Sequence, residues 1–180
     1  MATLVNITLY QVGWFCCVLG AAWGYPLSGG LAALALSVLH VALVEDRKPE
    51  IKLMLAAMLI GIVVDTGQQA FGIFAFKTDP AWPLWLPLWI FVIWAQFATL
   101  FHFALNWLRK SYLLAALFGG IGGPLAYYAG VRLGAATFPA EITMSIVSLA
   151  VCWAVVTPFL VFLSGKFAPS RLPGRYRFQK

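Results

Sequence analysis

The feature of this sequence that most constrains its fold is a succession of long apolar stretches separated by short polar segments. Of the 180 residues, 62% are hydrophobic and only 10% are charged, too few charges to cover the surface of a soluble domain. A transmembrane helix needs roughly 20 consecutive apolar residues. Stretches of about this length occupy residues 4–23, 27–44, 51–76, 84–108, 112–133 and 142–163. The sequence therefore predicts an all-α fold, a polytopic transmembrane helix bundle with six spans.

The lysine and arginine residues predict how these spans are oriented. If the N-terminus is cytoplasmic, only Lys77 and Arg132 fall on the far side of the membrane. The other ten all fall on the cytoplasmic side: Arg47, Lys48, Lys52, Arg109, Lys110, Lys166, Arg171, Arg175, Arg177 and Lys180. Because cytoplasmic loops carry an excess of positive charge, we expect both termini to be cytoplasmic. We also expect two regions, a six-helix transmembrane domain at 1–164 and a basic cytoplasmic tail at 165–180.

The same distribution excludes one class of function. The formal net charge is +6, but the basic residues gather in short segments between apolar stretches. They form no basic stripe of the kind that binds a phosphate backbone. We therefore expect no nucleic-acid partner.

The third apolar stretch carries a carboxylate, Asp65, and two amides, Gln68 and Gln69, at helical spacing on one face. A rise of about 1.5 Å per residue places Asp65 about 20 Å beyond Lys52, in the outer half of the bilayer. Exposing a carboxylate to lipid costs at least about 2.5–3.5 kcal/mol, so this face is expected to pack inward. The sequence predicts a polar pocket with five members: Asp65, Gln68, Gln69, Tyr128 and Arg132.

Two roles are open for Asp65. In the first, it binds a proton, a cation or a polar headgroup in a cavity that opens outward, since an ionisable residue at this depth is a default functional candidate. In the second, it is a structural clasp that pairs with Arg132 or Tyr128 from the fifth stretch.

A second polar set is expected nearer the cytoplasm. Its members are Gln11, His40, Gln96, His102 and Asn106. The two histidines lie at similar depth on different stretches, so they could be axial ligands of a b-type haem, a proton relay or simply hydrogen-bonded structural residues. They are too far from Asp65 to form one centre with it. Two histidines are too few for a di-iron site, and we predict no metal, no bound cofactor and no catalytic residue.

Short motifs narrow the function further. Gly119 and Gly123 form a GxxxG pair, which is typical of tight helix packing. The chain contains no G-x-S-x-G, no HExxH and no phosphate-binding glycine loop outside an apolar stretch. Classical hydrolase, metalloprotease and nucleotide-driven mechanisms therefore lack their parts. A non-catalytic role is favoured, and an enzymatic role stays open.

Several longer motifs carry a family resemblance. They are QVGWF at 11–15, Asp65 followed by Gly72, PLWLPLWIFVIWAQFATL at 83–100, His102, and GGPLAYYAGVRLGA at 122–135. With these motifs the chain resembles a family of small multi-pass bacterial inner-membrane proteins known only as a domain of unknown function. The resemblance implies a bacterial inner-membrane location. It also implies a link to acyl-chain modification, because such genes stand beside those of cyclopropane-type fatty-acid synthases and flavin-dependent oxidoreductases.

The leading hypothesis is an accessory or lipid-binding membrane protein linked to the modification of membrane fatty acids and lipids, with Asp65 and its neighbouring amides as a polar pocket. Its expected partners are membrane lipids and a lipid-modifying enzyme. One alternative is a small transporter or channel-like protein that uses Asp65 as its proton or ion site. Another is an intramembrane b-haem redox protein that uses His40 and His102.

Overall fold

The computed structural model describes residues 1–168 and 174–177, and most of these residues are helical. The α-helices are α1 (Ala2–Ala22), α2 (Pro26–Leu43), α3 (Arg47–Ala70), α4 (Leu88–Ala98), α5 (Tyr112–Leu133) and α6 (Ile142–Lys166). A 3₁₀-helix covers Asn106–Lys110, and two short strands, β1 (Ala75–Phe76) and β2 (Ala136–Thr137), pair antiparallel. Residues 169–173 and 178–180 of the predicted tail lie outside the described residues.

Four of the helices, α1, α2, α5 and α6, are long and apolar enough to cross a membrane. Their outward-facing side chains are apolar, as Val38, Leu125 and Val155 illustrate. This pattern is expected when lipid is the solvent. The prediction of a helical protein with several membrane-length helices is therefore confirmed. The other two helices differ, because α3 carries five charged residues and α4 has only 11 residues.

Helix α3 begins and ends earlier than the predicted span at 51–76. It begins at Arg47, because Pro49 in its first turn needs no hydrogen-bond acceptor there. It ends at Ala70, and Gly72 then adopts a φ of 65°, a left-handed conformation that glycine accommodates without strain. The chain turns at this point into β1.

The predicted span at 84–108 is α-helical only over Leu88–Ala98, so its expected boundaries are wrong for a regular helix. After Ala98 the backbone bonds shorten to the i→i+3 pattern, beginning with Thr99 N–H to the Gln96 carbonyl at 3.0 Å. The Asn6 side chain, from α1, donates to the Thr99 carbonyl at 3.2 Å and so satisfies a backbone group that the α-helix would have used. A polar residue remote in sequence therefore accompanies the change of helix type.

The bundle has two distinct ends. One end, the strand end, carries β1 and β2. There Lys77 Nζ donates to the Ala22 carbonyl at 3.1 Å and Ser145 Oγ donates to the Ile73 carbonyl at 3.0 Å. The C-terminus of α1 and the start of α6 therefore meet there. At the opposite end, the histidine end, α2 and α6 finish and α3 begins. The histidine end carries His40, Glu50, His102 and Ser164.

Helices α5 and α6 are capped by residues that suit these positions. Ser111 Oγ accepts a hydrogen bond from Leu114 N–H at 3.3 Å, and the Glu141 carboxylate accepts one from Met144 N–H at 3.1 Å. The bond from Met144 holds the pKa of Glu141 below its ordinary value. Gly134, with φ 91°, ends α5 in the left-handed conformation that commonly terminates helices.

Candidate functional site

An apolar cavity of about 220 Å³ lies between α1, α4, α5 and α6 and extends to the strand pair at the strand end. Ten of its 22 lining residues are aromatic, and none of those 22 described residues is charged. The indole of Trp94 stacks on that of Trp153, with ring centroids 4.8 Å apart and planes 10° from parallel. Tyr127 packs beside them, 6.0 Å from Trp153 between ring centroids. The cavity therefore offers an aromatic wall and no formal charge.

Glycines on α5 contribute to the cavity region in two different ways. Gly119 and Gly123 are packed so closely against Thr157 and Trp153 of α6 that a Cβ atom at either position would collide. This is the tight packing that the GxxxG spacing predicts. Gly122, by contrast, has open space where a Cβ atom would be, and it lines the cavity. One face of α5 thus holds α6 while the neighbouring face leaves the cavity empty of side chains.

Asp65 lies behind the aromatic wall and orders it. Its side chain is 0% exposed, and its two oxygens accept hydrogen bonds from Trp94 Nε1 at 2.6 Å and from the Tyr127 hydroxyl at 2.5 Å. Gly61, one turn earlier on α3, leaves the room that the Trp94 ring occupies. Both donors line the cavity. Asp65 therefore joins α3 to α4 and α5 and fixes the orientation of two cavity side chains.

The structure does not assemble the five-residue polar pocket that the sequence predicts. Tyr128 and Arg132, the expected partners of Asp65, are both exposed, and the adjacent Tyr127 takes their place. The reason is geometric, because successive residues of a helix point about 100° apart. Gln68 is buried and its Oε1 accepts from Ser148 Oγ at 3.4 Å, whereas Gln69 is only partly buried.

The inner polar set is likewise only partly brought together. Gln11 is exposed and Asn106 is partly exposed, so neither joins a buried site. Gln96 is buried and its amide donates to the Ala33 carbonyl at 2.9 Å. Its own Oε1 has no hydrogen-bond partner within the described residues, and the same holds for Trp153 Nε1 and Thr157 Oγ1.

His40 and His102 do meet, but through a residue that the sequence reasoning missed. The Glu50 carboxylate lies between them and contacts His40 Nε2 at 2.8 Å and His102 Nδ1 at 2.7 Å. Glu50 belongs to a dense run of charges, and nothing in that run marks it as buried. The available signal was spacing, because Glu50, Met54, Ala57, Gly61, Asp65 and Gln68 recur every three or four residues and are all buried.

This arrangement does not suit a haem with two histidine ligands. All four ring nitrogens of His40 and His102 are engaged in hydrogen bonds, and Glu50 occupies the space between the rings where a porphyrin would be. Over residues 1–168 and 174–177, no group of three or more His, Cys, Asp or Glu side chains is arranged to hold a metal ion.

Comparison with known proteins gives a family but no activity. Neither a curated protein nor a solved structure matches the chain. One family model matches residues 3–159, which is most of the sequence and includes the cavity residues, Asp65, Glu50 and the two histidines. The chain therefore belongs to the family described as protein of unknown function DUF2878.

Proposed function

We propose that this protein is a lipid-binding integral membrane protein whose cavity holds the hydrocarbon part of a membrane molecule. The cavity itself carries the proposal, because it is apolar, largely aromatic and about 220 Å³ in volume. An apolar cavity of about 150 Å³ already accommodates a benzene-sized molecule. The space therefore suits a segment of one acyl chain or a ring of similar size, and such lining is typical of small-molecule sites.

Six membrane crossings fit this proposal, including α3 despite its charges. Leu55, Leu59 and Val63 form an exposed apolar stripe along α3, which suits contact with lipid. Its two interior carboxylates, Glu50 and Asp65, are buried within the bundle instead. The charges of α3 are therefore no obstacle to a position in the membrane.

The segment that contains α4 is proposed as the remaining crossing. Trp94 contacts Asp65, and His102 contacts Glu50. Along α3, those two carboxylates are about 22 Å apart at a rise of about 1.5 Å per residue. The chain from α4 through the following 3₁₀ turns therefore runs antiparallel to α3 over most of the hydrocarbon thickness of about 30 Å.

The charge distribution supports a direction for this bundle. The ten-to-two excess of Lys and Arg favours a cytoplasmic histidine end, with both termini cytoplasmic. The bacterial inner membrane is proposed from the family resemblance alone. On this proposal residues 1–164 form the membrane domain and 165–180 the basic tail. In a background without native cysteines, Lys77→Cys should react with an impermeant thiol reagent in intact cells, and Lys110→Cys only after permeabilisation. The reverse pattern would overturn the orientation.

Filling the cavity should displace its occupant. Gly122→Leu places a large side chain in open space at the cavity, where it competes with an occupant for the same volume. A loss of about 1.4 kcal/mol in binding corresponds to a tenfold loss in affinity. The measurement is the amount of lipid that co-purifies with the protein in mild detergent, by mass spectrometry. We expect the wild type to retain an identifiable molecule with an acyl chain or a similar apolar group. The variant should retain about tenfold less of the same molecule.

Gly67→Leu is the matched control, because Gly67 also faces open space but does not line the cavity. It should retain the bound lipid at the wild-type level. Equal lipid in all three proteins would show that the cavity is not the binding site. We also propose that the protein assists a lipid-modifying enzyme. An unaltered acyl-chain profile in cells that lack the protein would contradict this role, while leaving lipid binding itself intact.

Lipid binding is better supported than the two alternatives. A transported proton or ion would have to reach Asp65, but no part of that side chain is exposed and both its oxygens already accept hydrogen bonds. A haem would need a free nitrogen on each histidine ring, and those nitrogens are engaged.

A further inference from the structure

Four buried side chains and one backbone carbonyl form a hydrogen-bonded cluster at the histidine end. Glu50 is at its centre, 2.8 Å from His40 Nε2 and 2.7 Å from His102 Nδ1. The outer nitrogens are also engaged, His40 Nδ1 with the Tyr176 hydroxyl at 3.0 Å and His102 Nε2 with the Ser164 carbonyl at 3.1 Å. This Glu50 cluster lies apart from the cavity and plays no part in the proposed lipid binding.

The contacts of His102 require one more proton than usual. The Ser164 carbonyl can only accept, so His102 Nε2 must carry a hydrogen. A neutral ring would then leave Nδ1 as an acceptor, facing a carboxylate oxygen of Glu50 that is also an acceptor. A 2.7 Å contact needs a hydrogen between these two atoms. Whether that hydrogen resides on nitrogen or oxygen, the pair holds one extra proton.

His40 needs no such proton. Its Nε2–H donates to Glu50, and its Nδ1 accepts from the Tyr176 hydroxyl. Burial raises the pKa of Tyr176, so this phenol keeps its hydrogen. With the extra proton present, the cluster has no net charge and the ring and carboxylate contacts are all satisfied. Neutrality matters here because an uncompensated buried charge is costly.

We propose that Glu50 and His102 form a proton-binding site, which residues 174–177 cover only while the proton is bound. Loss of the proton leaves two acceptors facing each other in a buried space. Water can supply the missing hydrogen, but it must first reach them. On this proposal Tyr176 keeps water from the Glu50–His102 pair. Its side chain is 0% exposed, and its ring packs against His40 and Phe103 with centroids 5.7 and 4.7 Å away.

The hydrogen bonds that hold the covering segment to α2 are not among those within a helix, so the segment can separate while the helices keep their own bonds. It is attached to the end of α2 by Glu45 N–H donating to the Arg175 carbonyl at 3.2 Å and by Arg177 Nε donating to the Val44 carbonyl at 3.2 Å. The charged residues on the surrounding elements are all partly or fully exposed. They are Glu45, Asp46, Arg47, Lys48, Lys52, Arg109, Lys110, Lys166, Arg175 and Arg177. The buried titratable groups of the cluster are His40, Glu50, His102 and Tyr176.

Glu50→Gln provides a sharp test, because an amide satisfies the same contacts without the extra proton. Its oxygen can accept from His40 Nε2–H, and its NH₂ can donate to a neutral His102 Nδ1. The experiment uses the full chain in detergent and measures tryptic cleavage after Arg175 and Arg177 by mass spectrometry. Measurements at about pH 6 and about pH 9 bracket the range in which histidine ordinarily titrates. Comparison with Glu50→Gln at each pH cancels the pH dependence of trypsin.

The expected ratio of wild-type to Glu50→Gln cleavage is near one at about pH 6 and about tenfold at about pH 9, since cleavage tracks the open population. A ratio that stays constant with pH would overturn the proposal, as would faster cleavage of Glu50→Gln at the lower pH. A second readout is the ¹⁵N resonances of the His102 ring. They should change between the two pH values in the wild type and stay fixed in Glu50→Gln. No change in the wild type would also overturn the proposal.

Discussion

Replacing Glu50 by alanine is expected to lower the free energy of unfolding by about 3–5 kcal/mol, the usual cost of removing one partner from a buried polar pair. The loss follows from position, because Glu50 joins α3 to His40 of α2 and to His102 of the segment after α4. Without the carboxylate, both rings lose a buried partner. Unfolding of the purified protein by increasing SDS, followed by circular dichroism, measures the difference.

Two control variants show whether a loss of stability in Glu50→Ala comes from the lost contacts with the two histidines. Glu50→Gln keeps both contacts and should cost less than about 1 kcal/mol. Lys48→Ala changes an exposed charge in the same turn of α3 and should stay within about 0.5 kcal/mol of the wild type. If Glu50→Ala were as stable as Lys48→Ala, the Glu50 cluster would not hold these helices together.

Asp65→Ala is expected to cost about 2–4 kcal/mol, because two buried donors lose their acceptor together. The donors are Trp94 Nε1–H and the Tyr127 hydroxyl, and both belong to the cavity wall. The same SDS titration measures stability. Near-ultraviolet circular dichroism should also weaken, since the fixed stacking of Trp94 on Trp153 depends on this anchor.

Two adjacent tyrosines supply a matched control for the Asp65 prediction. Tyr127→Phe removes a hydroxyl that donates to Asp65 and should destabilise the protein by about 1.5–3 kcal/mol, whereas Tyr128→Phe alters an exposed residue and should have little effect. The combination of Asp65→Ala with Tyr127→Phe should cost less than the sum of the two, because both remove the same contact. A larger loss with Tyr128→Phe or Arg132→Ala would restore the clasp that the sequence suggested.

Much of the helical framework could be predicted from apolar length alone. The stretches at 112–133 and 142–163 correspond closely to α5 and α6, because apolar composition and end-capping residues agree there. The stretch at 84–108 corresponds less closely to a helix, because α4 covers only Leu88–Ala98. Its composition is uniformly apolar, but the change to 3₁₀ turns coincides with a contact from Asn6, 93 residues away in sequence. A local pattern contains no information about a partner so distant.

The candidate site was harder to predict for a related reason. Depth along a helix follows from counting residues, so Asp65 and the two histidines could be assigned to different levels. Rotation about the helix axis depends on packing, and an error of one residue exchanges Tyr127 for Tyr128. Glu50 was missed because a charge in the first turn of a helix looks the same in sequence whether it faces water or a neighbouring helix. The cavity depends on Gly122 facing open space, which no spacing rule reveals.

The short strand pair at the strand end has a consequence for how a molecule enters and leaves the cavity. Phe74, Phe76 and Ala136 line the cavity at that end, and the Lys77 N–H to Ala135 carbonyl bond at 3.0 Å holds the strands together. A molecule arriving from the water there would have to break backbone hydrogen bonds. At Phe118 of α5, a cavity-lining residue that is 39% exposed, only side chains need to move. If the cavity binds lipid as proposed, the bilayer is the reservoir from which it fills, and its occupancy then depends on how strongly the occupant partitions into the membrane.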